Sequence, residues 1–241
     1  MDSHPSSSAY RGGNAILDRL APDEREELLP LLRVSFEEES NVLRVRDQPL
    51  DAVHFPIDAV YSVVVELAQG HTYEVDVIGR WGAVGVEIAL GARMSSRTVL
   101  CQAAGRVVRI SNDEFENALA RSPAFLAAVR EALHRQWFDS QQTVACNFAH
   151  TIEQRAARWI LMTQDQVGHE RFPMRAEFLS IMLGVAAVKV REPLAALEQL
   201  GCISYEDDDV TVVSREALHD YACECYDRQL NAPFVTLDGV A

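Results

Sequence analysis

Residues 123–148 contain no glycine, and no proline after Pro123. Along this run Phe125, Val129, Leu133, Trp137, Ser140, Val144 and Phe148 recur every three or four positions. The spacing predicts one long helix with Ser122-Pro123 as its start. A helix of that length exceeds what a small domain needs, and its apolar stripe wants a partner. Because it separates β-like sequence from helical sequence, the stripe is expected to be the seam of a two-stranded dimer rather than an ordinary core face.

Upstream of this helix the period is two. Short β-branched runs begin near Val34 and include Val42-Leu43-Arg44-Val45, residues 59–65, residues 73–78, residues 97–103 and Arg106-Val107-Val108-Arg109-Ile110. Asp47-Gln48-Pro49, Gln69-Gly70, Gly79-Arg80, Gly91-Ala92 and Ala104-Gly105 punctuate them. Strands at such close intervals imply an antiparallel sandwich or barrel. A helical pattern precedes them from Asn14, broken at Ala21-Pro22-Asp23, and Ser111 with Glu114 forms a capping box after them.

Downstream, helices are expected over residues 151–162 and 175–183, the second closed by Gly184. A third pattern carries Val190, Leu194, Leu197 and Leu200 and stops at Gly201. Residues 202–205 and 210–213 then flank an acidic turn as a hairpin, and Ser214 opens a last helix reaching about Gln229. Helix, helix, glycine, helix, glycine, hairpin is the order of a winged helix-turn-helix.

Composition narrows the functional classes. The formal net charge is −14, the wrong overall sign for a partner that is a polyanion, so DNA binding must rest on a local cationic patch. Of the five cysteines only Cys223-Glu-Cys225 is closely spaced, which falls short of a four-ligand metal site. No metal is expected, and the thiols read as small buried hydrophobes. Residues 1–13 read as a disordered tail without signal-peptide features, and the protein as cytoplasmic, with no membrane partner. No glycine-rich phosphate loop, zinc signature or nucleophile elbow appears, so it reads as no enzyme.

Four stretches, in order, resemble the Crp/Fnr family of regulators. They are residues 54–62, beginning His54-Phe55-Pro56; residues 77–86, with Gly79-Arg80-Trp81-Gly82; Ala145-Cys146-Asn147 with His150 and Arg155-Ala156-Ala157-Arg158-Trp159; and residues 177–185, ending Leu183-Gly184-Val185. The resemblance covers about residues 14–230. It implies an α+β fold: an N-terminal antiparallel β-roll of the cyclic-nucleotide-binding type (14–122), a dimerisation helix (123–149) and a C-terminal winged helix-turn-helix (150–230), followed by a tail (231–241). It further implies a homodimer, double-stranded DNA as partner, RNA polymerase as a further one, and a small-molecule effector. Neither the effector nor any cofactor is identified by the sequence.

The departures from that family are specific. Its nucleotide-binding members use a Gly-Glu pair for the ribose and an Arg-Ser or Arg-Thr pair for the cyclic phosphate. Here Gly85 is followed by Val86, with Glu87 one place late, although Arg97-Thr98 suits the phosphate pair. Gly85, Arg97 and Thr98 are thus the residues left for an effector, and cyclic AMP is expected to bind feebly. The iron–sulfur branch needs N-terminal cysteines, and none precedes Cys101; the candidates for holding a haem are His54 and His71. In the DNA-reading helix the usual arginine positions are Ala186 and Ala187, which leaves Val188, Lys189 and Arg191, with Arg175 as a phosphate contact. Pro193 means that this helix either kinks or starts near the proline. Glu206-Asp207-Asp208-Asp209 places carboxylates on the wing. The alternative function is a degenerate member, a dimeric ligand-binding or protein-interaction module that does not read DNA sequence.

Overall fold

The computed structural model describes residues 10–68 and 70–232. Most of the expected N-terminal tail, the Gln69 turn position and most of the C-terminal tail lie outside these residues. Tyr10, assigned to that tail, is instead buried, and its hydroxyl donates to Asp18 at 2.7 Å. Its ring closes one end of the core, and an apolar face of that size is more stable covered than in water.

Helices α1 (Ala15–Asp18) and α2 (Pro22–Leu28) lead into the roll. Asn14 caps α1, and Pro22 occupies the first position of α2, where a missing N–H deprives nothing. Seven strands follow: β1 (Arg33–Glu37), β2 (Val42–Arg44), β3 (Ala52–Pro56), β4 (Val60–Glu66), β5 (Thr72–Ile78), β6 (Thr98–Ala103) and β7 (Gly105–Ser111). They form two antiparallel sheets, ordered β1-β7-β3 and β2-β6-β4-β5. Strand β3 is buried at every position, so it shows no polar alternation to mark it as a strand.

Helix α3 (Asn112–Arg121) begins at the Ser111–Glu114 capping box, and α4 (Pro123–Ala149) at the Ser122 cap. The first half of α4 belongs to the core of the roll. Phe125 packs against Phe55 and edge-on against Phe115, and Val129 and Ala132 are buried with them. Leu133, assigned to the dimer seam, packs against this same core. The reason is rotational: each four-residue step advances about 40° around a helix, so Phe125 and Phe148 point roughly 140° apart. The stripe is one line in sequence and two faces in space.

The C-terminal part comprises α5 (Ile152–Val167), β8 (Arg171–Pro173), α6 (Ala176–Leu183), α7 (Arg191–Gln199), β9 (Ile203–Glu206), β10 (Asp209–Val212), α8 (Arg215–Tyr221) and α9 (Cys225–Leu230). Strand β8 makes the wing a three-stranded sheet ordered β8-β10-β9. The single last helix expected from Ser214 to Gln229 is broken. Ala222 is extended (φ −66°, ψ 159°), which turns Cys223 inward and restarts the chain as α9 against α4 and α5.

Candidate nucleic-acid interface and sensor region

Helix α6 turns its Phe178, Leu179, Met182 and Leu183 inward, and Arg155 donates to the Leu183 carbonyl. Gly184 then adopts φ +63°, a left-handed conformation that reverses the chain cheaply only for glycine. Residues Ala187–Lys189 make a single 3₁₀ turn before α7 begins at Arg191. Pro193 is therefore the third residue of α7, within the first turn, and it is buried beside Leu194 and Leu197. Of the two expected outcomes the second is observed: the helix starts near the proline, where backbone donors have no partner four residues back.

What this segment offers to a partner is small. Val188 is 84% exposed, and Lys189 and Arg191 are exposed and form no ion pair with any described residue. Glu192 and Glu198 are exposed on the same stretch. Arg175 stands at the N-terminal boundary of α6 and is held by Glu39 at 3.9 Å and Glu177 at 3.7 Å. On the wing, Asp207 and Asp208 both take positive φ in a tight turn, Tyr205 donates to Asp208, and Arg171 neutralises Asp209 at 2.8 Å.

In the roll, Gly85 has φ +91°, and a side chain there would begin 2.7 Å from the Ala52 carbonyl oxygen. The turn it permits opens a 3₁₀ segment, Val86–Leu90, that buries Val86 in the core and points Glu87 at Arg97, 4.0 Å away. The structure therefore brings Arg97 to the carboxylate beside Gly85, while Thr98 faces another strand and accepts from the Arg46 amide. His54 is walled in: burial, with the Arg44 and Arg109 charges, pushes it down to about 3, so it stays neutral beside the Arg44 guanidinium at 3.3 Å. This is the setting of a core histidine, with Nδ1 against Arg44 and the ring buried.

Three elements meet at a polar joint behind these regions. Arg158 is fully buried on α5, donates to Thr143 of α4 and Gln229 of α9, and lies over the Trp159 ring at 4.8 Å. Asp139 of α4 accepts from Arg135 and Gln229. Glu74 and Asp76 of β5 are buried nearby, and burial raises both carboxyls well above the usual range; the Asp139 charge adds to this at Asp76. Sequence reasoning missed this joint, and it missed a cluster beside it that unites Cys146 and His150 with Cys223 and Cys225. A usable signal existed for the cluster: a Cys and a His four apart on one helix face, plus the Cys-x-Cys pair.

A two-sheet roll, a long helix and a winged helix-turn-helix in this order make the fold shared with solved structures of the Crp/Fnr type. Residues 154–221 match the Crp-like helix-turn-helix domain. Solved structures with the same fold include FixK2 of Bradyrhizobium japonicum, at 12% identity and a TM-score of 0.68 over 80% of this chain and 98% of that one. TTHB099, a CRP-family transcriptional regulator of Thermus thermophilus, is 17% identical with a TM-score of 0.66, over 78% of this chain and 96% of that one. CLP of Xanthomonas campestris, a c-di-GMP-responsive global regulator, is 14% identical with a TM-score of 0.65, covering 80% and 100%. No curated protein matches the sequence. Among the described residues no helix is long and apolar enough to cross a membrane.

Proposed function

We propose that the chain is a homodimeric, DNA-binding transcription regulator whose roll senses a small-molecule effector. The observation that carries this reading is the pairing of a Crp-like helix-turn-helix with an exposed apolar stripe on α4. His134, Trp137, Gln141, Val144 and Phe148 follow one another at steps of three and four, and Trp137, Val144 and Phe148 are 64, 57 and 90% exposed. Such spacing is the seam of a two-stranded coiled coil, and Leu133 has no part in it. Two copies joined there would present two DNA-reading segments to half-sites one turn of DNA apart. Lys189 and Arg191 carry the base and phosphate contacts, Val188 packs against a base edge, and Arg175 reaches a phosphate only by leaving Glu39.

The effector would act at Gly85, Arg97 and Thr98, by breaking the Arg97–Glu87 pair and shifting α4 against the roll. Because Glu87 already occupies the arginine and Val86 offers no acceptor, cyclic AMP binds poorly, and submicromolar binding in a calorimetric titration would contradict this assignment. A second reading, a dimeric module that does not read sequence, draws on the carboxylates of the wing and of α7. Selection from a random DNA pool separates the two. Enrichment of a two-fold symmetric site, relaxed at one base pair by Arg191→Ala at a cost of about 1–3 kcal/mol, supports the regulator. An unenriched pool with an intact dimer supports the module.

A further inference from the structure

The last turn of α4 and the break between α8 and α9 bring together four side chains that no part of the DNA-reading scheme uses. Cys146 and His150 lie one turn apart on α4, His150 being its C-terminal cap. Cys223 and Cys225 come from the inward turn at Ala222, Cys225 as the first residue of α9. Their four potential ligand atoms all lie within 4.8 Å of one another, and the three thiols are buried.

We propose that Cys146, His150, Cys223 and Cys225 bind one Zn²⁺ ion, which clamps the end of α4 to the C-terminal segment of the DNA-binding domain. Tetrahedral zinc, with Zn–S near 2.3 Å and Zn–N near 2.0 Å, sets its ligand atoms about 3.5–3.8 Å apart. Here Cys146 Sγ is 3.5 Å from Cys223 Sγ, and Cys225 Sγ is 3.6 Å from His150 Nδ1. A disulfide would need sulfurs at about 2.05 Å, and all five cysteines are free. An iron–sulfur cluster spreads its thiolates over several iron atoms and needs more room. The donor set, three soft sulfurs and an imidazole, is a familiar closed structural zinc set.

The surroundings fit a metal rather than a plain apolar pocket. His150 Nε2 contacts the Glu224 carboxylate at 3.0 Å, which fixes the ring and leaves Nδ1 aimed at the thiols. Gln142 donates to Cys225 Sγ at 2.9 Å. Loading the site releases the protons of the three thiols, so three thiolates, a neutral imidazole and Zn²⁺ carry a net charge of −1. Buried cations stand ready for that charge: Arg158 and Arg155 act electrostatically on Cys146, and Arg155 Nε and Arg158 Nη1 have no hydrogen-bond partner of their own. The clamp stands independently of the regulator reading, because it concerns how the C-terminal part is held to α4, whatever that part binds.

The test uses the full chain, purified under reductant without chelator, with metal counted by mass spectrometry and Co²⁺ substituted as a spectroscopic probe. The expected result is one zinc per chain, a melting temperature lowered by chelator and restored by zinc, and cobalt bands of a tetrahedral thiolate site. Cys225→Ser should abolish those bands. Glu224→Gln, which keeps all four ligands, should weaken zinc about 10–100-fold. Cys225→His retains four donors and should still hold cobalt, with weaker sulfur charge-transfer absorption, which guards against variants that merely misfold. Cys101→Ser and Cys202→Ser should change nothing. A reduced chain that takes up no zinc or cobalt on reconstitution overturns the proposal, as does zinc lost equally in the Cys101 and Cys202 variants.

Discussion

Helix α4 is one rod with two kinds of neighbour. Its first half starts in an aromatic core, where Phe125, Phe115 and Phe55 meet and Val129 is fully buried. The inward face of its second half is polar and sulfurous: Asp139, Thr143 and Cys146 meet Gln229, Arg158 and Cys223. Only there does the outward face carry large apolar groups into solvent. The first half is rich in Ala, Leu and Arg and the second in Asp, Ser, Thr, Val and Asn, weaker helix formers, so the second half depends more on what holds it. The first half is fixed by non-directional burial that tolerates some repacking, and the second by directional bonds that orient it.

The largest expected effect falls on the second half. Trp137→Glu with Val144→Glu should turn a dimer into a folded monomer in sedimentation equilibrium, with unchanged far-ultraviolet circular dichroism, because each charge would be buried against its symmetry mate. A variant that stays dimeric would place the seam elsewhere and erase the contrast. Next comes the first half: Phe125→Ala should lower unfolding free energy by about 3–5 kcal/mol in a denaturant melt and leave the dimer intact.

A buried histidine of the roll and a buried carboxyl facing the second half should answer pH in opposite senses. His54 on β3, buried beside Arg44 and Arg109, has a folded pKa near 3, below its unfolded value of about 6.5. Its contribution is complete above about pH 6.5 and is lost as pH falls, at up to about 1.4 kcal/mol per unit. Asp76, facing Asp139 of the second half, has a folded pKa above its unfolded value. Its contribution is complete below about pH 4 and is lost as pH rises. Thermal melts should therefore show Asp76→Asn stabilising at pH 8, with no gain at pH 4. A gain equal at both would remove the electrostatic account. The smallest effect is at the shared start of the rod, where Ser122→Ala removes the cap on the Phe125 amide and should cost about 1 kcal/mol in the same melts.

Much of this is legible in the chain itself, where local chemistry decides the outcome. Ser111 with Glu114, Ser122 with Pro123, Gly184 and the Ile203–Val212 hairpin all follow from short-range rules and stand where those rules put them. Expectation and structure part where distant residues decide. A three-or-four-residue stripe cannot reveal that its face rotates away from the core, so it assigns Leu133 to the wrong side. The break at Ala222 has no proline or glycine to announce it; Cys223 turns there to reach a partner 77 residues away. The candidate DNA contacts Lys189 and Arg191 are readable from position, whereas the Glu39 tie on Arg175 and the Glu87 tie on Arg97 depend on tertiary placement.

The dependence of the second half of α4 on α9 has a consequence for synthesis. Arg135 and Gln229 are 94 positions apart, and Thr143 is satisfied by an arginine that itself needs Gln229. On the ribosome the roll and the first half of α4 can assemble as soon as they emerge. The second half must then wait, with Trp137, Val144 and Phe148 uncovered on one side and the joint unfilled on the other, until residues 223–230 have left the exit tunnel. During that interval the nascent chain exposes both faces of a long helix at once, which makes this segment the one most in need of chaperone cover.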